Sequence, residues 1–177
     1  TTDSTANLVG KVVGSTTVNP HIYKSSQVEG SALTLLPPSS GTFIERSTTG
    51  VSALGGTMHT TTTTVNGSMS EALFSFDIIA EIERKLGIIP KTTLAEKVQW
   101  VKDNAEMLTP NWHGFGSSVG GNKVSLAHWQ GVSWVNAISH TSSAVTKLTL
   151  PLLGANLTPT IQADGFAHFL TYAEPSD

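Results

Sequence analysis

The sequence predicts a single, mainly β domain, built as an antiparallel, jelly-roll-like β-sandwich that also carries a two-helix segment. Two observations favour strands. Thr, Ser, Gly and β-branched residues dominate most of the chain, and from residue 111 onward apolar and polar residues alternate with a period of two. A third observation indicates helices, because residues 70–106 hold 12 of the 23 charged residues and place apolar residues at helical spacing. A length of 177 residues fits one domain over residues 1–177.

The first 67 residues are predicted to form short strands and loops that wrap the core. Strand-like runs alternate there with turns that are rich in Gly, Pro and Asn. We expect residues 1–7 to be a flexible arm, since chain ends are often poorly ordered. Residues 60–64 fit either a strand or a polar loop. The predicted strands are residues 8–13, 21–23, 32–36 and 42–45.

Residues 68–108 are predicted to be a two-helix insertion, and the first helix begins at a capping signal. Ser68 precedes Glu71 by three residues. The Ser68 hydroxyl could therefore accept from the backbone N–H of Glu71, while the Glu71 carboxylate accepts from the backbone N–H of Ser68. Apolar residues then recur at helical spacing as far as Leu86. The first helix is therefore expected at about residues 69–86.

The second helix repeats the same pattern. Thr93 and Glu96 have capping-box spacing, and an apolar stripe follows them until Pro110 closes the segment. This helix is expected at about residues 94–106.

After the helices, the period of two predicts the strands of the sandwich. Asp164-Gly165 is a strong hairpin turn between Ile161 and Phe166, and residues 111–121 are expected to be a connection. The predicted strands are residues 123–129, 132–138, 144–150 and 166–172.

Composition argues against several classes of function. The absence of cysteine excludes a disulfide framework and a thiolate metal site. A net charge of -3 argues against a nucleic-acid partner, which requires a basic patch. No apolar run approaches the roughly 18 residues of a membrane span. The sequence contains no nucleophile elbow, and most carboxylates fall on the predicted helices, so we expect no enzyme and no cofactor.

A metal site is not expected either. The six histidines include no pair at the helical spacing of a zinc protease. His128 and His168 each lie in a predicted strand and could face one another across a sheet, with Asp164 or His113 as a further ligand. We favour the simpler interpretation that these histidines are hydrogen-bonded core or interface residues.

The candidate ligand-binding residues are aromatic side chains beside loops. A flat ring can stack on the CH face of a sugar while neighbouring polar groups bind its hydroxyls. The alternative is that these rings anchor glycine-rich loops onto the sandwich. The candidates are Trp112, His113, Phe115, Trp129 and Trp134.

Several phrases of the sequence together resemble a known class of protein. They are VVGSTTVNPH at residues 12–21, LFSFDII at 73–79, ERKLGIIP at 83–90, KVQWVK at 97–102, NWHGFG at 111–116, GNK at 121–123 and DGFAH at 164–168. This set resembles the C-terminal domains of tail-fibre-like and head-fibre-like structural proteins from bacteriophages and prophages of Bacillus-type Gram-positive bacteria.

The resemblance implies a virion surface protein that forms a homotrimer with itself and contacts other virion structural proteins. Its expected partner on the host is cell-wall carbohydrate or teichoic acid. Two alternatives remain, namely a head fibre or capsid decoration protein with a purely structural role, and a polysaccharide depolymerase. Such domains usually continue past residues 172–176 into a final strand, which this chain either lacks or replaces with another segment.

Overall fold

The computed structural model of the protein describes residues 1–26 and 34–176. The chain forms eight strands and two α-helices within this part. The strands are β1 (Ile22–Ser26), β2 (Phe43–Glu45), β3 (Glu71–Asp77), β4 (Asn111–Gly114), β5 (Val124–Trp129), β6 (Trp134–His140), β7 (Thr146–Thr149) and β8 (Phe166–Ala173). The helices are α1 (Ile78–Lys85) and α2 (Leu94–Asn104), and two short 3₁₀ helices follow at Gly154–Asn156 and Thr158–Thr160.

Six of the strands form one antiparallel sheet. Their order is β2-β1-β3-β8-β5-β6, while β4 and β7 pair with each other in a separate antiparallel sheet. The architecture is thus mainly β, with antiparallel sheets and a few short helices, and this much of the predicted fold class is confirmed.

One face of the six-stranded sheet, which we call the inner face, carries the main core. Tyr23, Phe74 and Phe169 are opposite one another on β1, β3 and β8, so their side chains share this face. They pack with residues from α1, α2, β7 and the segment around the 3₁₀ helices. The second layer of the fold therefore covers the inner face.

The opposite face, which we call the outer face, has a smaller core. Leu73 and Leu170 are paired on β3 and β8 and are almost completely buried. Phe43 packs on them, with Leu35 and Leu36 at the edge of the cluster. Among the described residues, this cluster is therefore covered by Leu35 and Leu36, which precede β2, and by Phe43 at the start of β2.

The predicted first helix at residues 69–86 is wrong in its first half. Residues 71–77 form β3, a central strand that pairs with β1 on one side and β8 on the other, and only Ile78–Lys85 is helical. The apolar residues are explained equally well by alternation between two buried faces, and ladders on both sides satisfy the backbone. Tertiary pairing thus overrides the local helical pattern.

The predicted capping box at Ser68 and Glu71 does not form. Ser68 instead makes an isolated bridge with Ser176, and the Glu71 carboxylate accepts a hydrogen bond from the backbone N–H of Leu36 at 2.9 Å. The helix N-cap is Asp77, whose side chain accepts from the N–H of Ala80 at 2.9 Å.

The second helix is confirmed with small changes. It begins at Leu94, as predicted, and the Thr93–Glu96 capping box is present in both directions. The helix ends at Asn104, two residues before the predicted end, because Ala105 already has extended backbone angles.

The strand predictions succeed best in the C-terminal half. β5, β6, β7 and β8 overlap the four predicted strands within a few residues. Residues 111–114 were expected in a connection but form β4. Residues 8–13 were expected in a strand but form turns. The predicted strand at residues 32–36 lies partly outside the described residues, and residues 34–36 form no strand.

The Asp164-Gly165 turn is confirmed, although no strand precedes it. The N–H of Gln162 donates to the carbonyl of Phe166 at 2.8 Å and closes the turn, while residues 158–160 are a 3₁₀ helix. Gly165 has a φ of +86°, and a Cβ atom there would lie 2.7 Å from Ile79. Both constraints require glycine, because the turn packs closely on α1.

The first residues of the chain make specific contacts with α1. The hydroxyl of Ser4 donates to Glu81 at 3.1 Å, and the ammonium of Lys85 donates to the carbonyl of Thr5 at 2.5 Å. Glu81 also pairs with Lys85 at 2.6 Å and with the buried His21 at 2.9 Å. This network links the start of the chain to the helix.

Candidate functional site

The five predicted ligand-binding residues fall into two groups on opposite sides of the six-stranded sheet. Trp129 and Trp134 are a cross-strand pair on β5 and β6, on the outer face. Trp112 packs against the core of the inner face, while His113 and Phe115 beside it are exposed. The fold therefore separates the two groups, which cannot contact the same small ligand.

Trp112 has a clear role in packing. It lies two residues before Gly114 on the same strand, and its ring covers that glycine so closely that a Cβ atom would come within 2.3 Å of it. The indole thus lies flat along its own strand and against the core, which matches the loop-anchor interpretation for this residue.

Trp129 and Trp134 occupy the end of the β5–β6 hairpin. Their ring centroids are 5.2 Å apart in an edge-to-face arrangement, with 62° between the planes. This geometry is favourable for two aromatic rings, because the positive edge of one meets the negative face of the other. Both side chains are only half-buried, so part of each ring is accessible.

The indole of Trp134 is fixed by a hydrogen bond. Its Nε1–H donates to the carbonyl of Leu36 at 2.9 Å. The backbone of Trp129 is held as well, because its carbonyl accepts from the side-chain amide of Gln162 at 3.4 Å. The two rings are therefore positioned by groups outside the hairpin that carries them.

His168 on β8 lies next to Trp129 on the same face. The β5–β8 register pairs His128 with Phe169, so the next residue along each strand, Trp129 and His168, faces outward. Phe166 stacks on His168 in parallel, with centroids 6.0 Å apart and 8° between the ring planes. We call Trp129, Trp134, Phe166 and His168 the aromatic platform.

The imidazole of His168 is held by Ser75 on the neighbouring strand. The two residues are paired in the β3–β8 register, and Ser75 Oγ lies 2.7 Å from His168 Nδ1. Burial lowers the pKa of His168, and the nearby charge of Asp164 only partly opposes this effect. The neutral form of the ring is thus favoured, with Nδ1 bonded to Ser75 and with no hydrogen bond from Nε2 to another of the described residues.

The carboxyl of Glu71 lies on the same face, beneath the cover formed by Leu36. Its pKa is raised to about 7 because burial disfavours the charged form, and the hydrogen bond from the N–H of Leu36 opposes this only in part. Leu36 is therefore held at both ends, by Glu71 through its N–H and by Trp134 through its carbonyl. This arrangement joins the cover of the outer face to one ring of the platform.

The two strand histidines that we considered as metal ligands do not face each other. His128 is completely buried on the inner face, where its Nδ1 lies 2.6 Å from Thr160 Oγ1, whereas His168 is on the outer face. Thr160 donates its own proton to the carbonyl of Asn156, so it accepts from the Nδ1–H of His128. Within residues 1–26 and 34–176, no group of three or more His, Asp or Glu side chains is arranged to hold a metal ion.

The platform has the chemistry of a shallow carbohydrate site. Three rings offer apolar faces, and the imidazole and the indole Nε1–H of Trp129 offer polar groups at their edge. The sequence analysis selected the two tryptophans as candidates, did not select Phe166 or Ser75, and considered His168 only as a possible metal ligand. The alternation in residues 166–172 already put Phe166 and His168 on one face. However, only the strand register could place them beside Trp129.

Comparison with known proteins gives no match to this chain among family models, curated proteins or solved structures. In the part of the chain that the structure describes, no helix has the length and apolar character needed to cross a membrane.

Proposed function

We propose that this protein is a non-catalytic structural domain of a bacteriophage virion that binds carbohydrate of the host cell wall, glycan or teichoic acid, through the aromatic platform. The observation that carries the proposal is the half-buried, partly accessible Trp129–Trp134 pair beside the stacked Phe166 and His168. Such a flat surface suits the extended face of a polysaccharide better than a deep pocket would. The assignment to a virion rests on the resemblance in sequence.

The fold that we propose for this role is a jelly-roll-like sandwich, with the inner face packed and the platform end of the outer face available for ligand. We also propose that the protein acts as a homotrimer on the particle surface, next to other virion proteins. Four valines between residues 9 and 18 are each at least half exposed, which supports contact with a neighbouring subunit. Several weak sites on one particle would then act together.

A hydrolase is the alternative that a specific observation favours, since Ser75 and His168 form a hydrogen bond like that of a nucleophile and its base. Two features weigh against catalysis. Ser75 is only 5% exposed, and among the described residues no carboxylate hydrogen-bonds to His168 to orient it. We therefore propose binding without chemistry. Release of reducing ends from host polysaccharide by the wild-type protein, abolished in Ser75→Ala, would favour the depolymerase instead.

The binding proposal is tested by substitution at the platform. Trp129→Ala removes the ring that lies between Trp134 and His168, and we expect about a tenfold loss of affinity for purified cell walls of a Bacillus-type host, measured by sedimentation of the bound protein. The matched control is Val132→Ala, at a residue that is 89% exposed in the adjoining turn. Equal binding by wild type and a folded Trp129→Ala variant would reject the platform as the site.

A purely structural role as a head fibre or capsid decoration protein makes a different prediction. In that case the protein would be found on capsid faces by immunogold labelling of virions, and it would not bind isolated walls. Labelling at the tail together with platform-dependent wall binding supports our proposal.

A further inference from the structure

The hydrogen bond between Ser75 and His168 defines which nitrogen of the imidazole carries the proton. Ser75 is 5% exposed, and within the described part of the chain its hydroxyl bonds only to His168 Nδ1, at 2.7 Å. A buried hydroxyl needs an acceptor for its proton, and Nδ1 is the acceptor in reach. The Ser75 O–H therefore donates to Nδ1, and the neutral ring carries its own proton on Nε2.

The Nε2–H of His168 is directed away from β3. The two nitrogens of an imidazole point to different sides of the ring, and Ser75 on β3 holds Nδ1. Trp129 on β5 lies on the other side of β8 from Ser75. His168 is itself only half-buried, so the platform presents a fixed N–H donor beside its rings.

The side chains of the platform donate hydrogen bonds but do not accept them. The indole of Trp129 has an N–H donor and no acceptor, and the imidazole is in the same state once Nδ1 is occupied by Ser75. The indole N–H of Trp134 is already bonded to the carbonyl of Leu36. The ligand oxygen that suits this surface best is one without a hydrogen, because the proton of a hydroxyl would find no acceptor on the rings.

The charge beside His168 favours a neutral acceptor over an anion. Asp164 is exposed at the turn before β8, and its Oδ1 accepts from the N–H of Phe166 at 3.0 Å. Its negative charge acts on the imidazole more strongly than the positive charge of Lys24 does. A phosphate or carboxylate bound at Nε2 would therefore be repelled by the nearer charge.

The ring of Phe166 supplies an apolar surface next to the donor. It lies parallel to His168, with centroids 6.0 Å apart, and is half-buried. A ligand group that suits both side chains has a neutral carbonyl oxygen and a small apolar substituent attached to it. The acetamido group of an N-acetylated sugar has both, in its amide oxygen and its methyl group.

We propose that the platform recognises an N-acetylated amino sugar, with His168 Nε2–H donating to the acetamido carbonyl and the Phe166 ring contacting the acetyl methyl. Ser75 is the positioning residue that keeps the proton on Nε2. This inference rests on the proposed carbohydrate-binding function of the platform. Within that function it selects an acetylated glycan over the phosphate chain of a teichoic acid.

The first test reads the tautomer of His168 in the free wild-type protein. Nitrogen NMR of the imidazole distinguishes a ring protonated on Nε2 from one protonated on Nδ1. We expect the Nε2–H form in the wild type and a shift toward the Nδ1–H form in Ser75→Ala, which removes the donor to Nδ1. A wild-type ring protonated on Nδ1 would overturn the proposal, because Nε2 would then be an acceptor.

The second test compares two tetrasaccharides that share one backbone linkage and differ in a single substituent. One is an oligomer of glucose, with a hydroxyl at the second carbon, and the other is an oligomer of N-acetylglucosamine, with an acetamido group there. We expect the wild type to bind the acetylated oligomer about tenfold more tightly, as the gain of one hydrogen bond implies. Isothermal titration measures both affinities, and a glycerol phosphate polymer serves as the anionic competitor.

Substitutions then assign the preference to particular side chains. His168→Phe keeps a ring beside Phe166 but removes the donor, and we expect it to bind both tetrasaccharides equally. Ser75→Ala should lose part of the preference. Its matched control is Ser125→Ala, which removes another buried hydroxyl from the outer face, one that bonds to Ser139 at 2.7 Å, and should keep the preference of the wild type.

The outcomes separate this inference from the proposed function. Equal binding of the two tetrasaccharides by the wild type overturns the inference while leaving carbohydrate binding by the platform intact. Tighter binding of the glycerol phosphate polymer, or an undiminished preference in folded His168→Phe, also overturns it. If the acetylated oligomer does not bind, the inference fails, and sedimentation with cell walls decides separately whether the platform binds the wall.

Discussion

The two faces of the six-stranded sheet use aromatic residues in different ways. On the inner face, Tyr23 and Phe74 stack with ring centroids 5.0 Å apart, and both are buried beneath the second layer of the fold. On the outer face, Trp129 and Trp134 have ring centroids 5.2 Å apart but are only half-buried. Similar ring contacts therefore stabilise a buried core on the inner face, and they leave part of each ring accessible on the outer face.

This difference separates residues that hold the fold together from residues that are available for binding. Burial of a large ring on the inner face contributes free energy that the folded state needs. Rings on the outer face lie at the margin of a small core and can be changed at lower cost. The expected effects of substitution should therefore differ between the faces, in stability and in binding.

The largest expected effect is on the inner face. Phe169 is 3% exposed, and Phe169→Ala should lower the free energy of unfolding by about 3–5 kcal/mol, because it leaves a cavity between β8 and the covering layer. Urea denaturation followed by circular dichroism measures the change. Trp129→Ala, on the outer face, should cost clearly less. Equal losses would mean that the two faces contribute equally to stability and would contradict the comparison.

Glu71 gives an effect of intermediate size, on the outer face. Its pKa in the folded protein is about 7, above the usual 4.5, so the folded chain binds more protons than the unfolded chain between these values. Stability should therefore fall as the pH rises from 4.5 to 7 and stay reduced above 7. Glu71→Gln removes the titrating group while keeping an oxygen that can accept from Leu36.

We expect Glu71→Gln to be more stable than the wild type at pH 8 by about 2 kcal/mol, after allowance for solvent screening, and to differ little from it at pH 4. The difference between the two proteins at each pH isolates Glu71, because all other groups titrate alike in both. Urea denaturation at the two pH values measures it. A constant difference across the pH range would show that the carboxyl does not change its charge in the folded state within this window.

How well the sequence predicted the structure also differs between regions. The C-terminal strands were predictable because their alternation matches their burial, as in β8, where Ala167 and Phe169 face inward. β3 was not predictable, since it is a central strand and is apolar on both faces. Leu73 and Phe76 fit a helix, in which they would share one face, and equally fit a strand in which both faces are buried. Only pairing with β1 and β8 decides between the two.

The candidate site shows the same limit. The tryptophans were selected as candidates because each flanks a tight turn in the sequence, and the structure pairs them across that turn. Ser75 could not be found, since it lay in a predicted helix, and its contact with His168 depends on a pairing between residues 93 positions apart. Local patterns indicate which residues share a face, whereas the neighbours across strands follow from the register of the whole sheet.

The smallest expected effect concerns the helix cap in the layer that covers the inner face. Thr93→Ala removes the side chain that accepts from the N–H of Glu96, and it should lower the free energy of unfolding by about 1 kcal/mol. Val98 and Val101 of the same helix lie in the inner-face core, so loss of the cap acts on that core and not on the platform. Urea denaturation measures the stability, and sedimentation with cell walls measures the binding. We expect unchanged wall binding by the folded variant, and reduced binding would indicate that the two faces are coupled through the sheet.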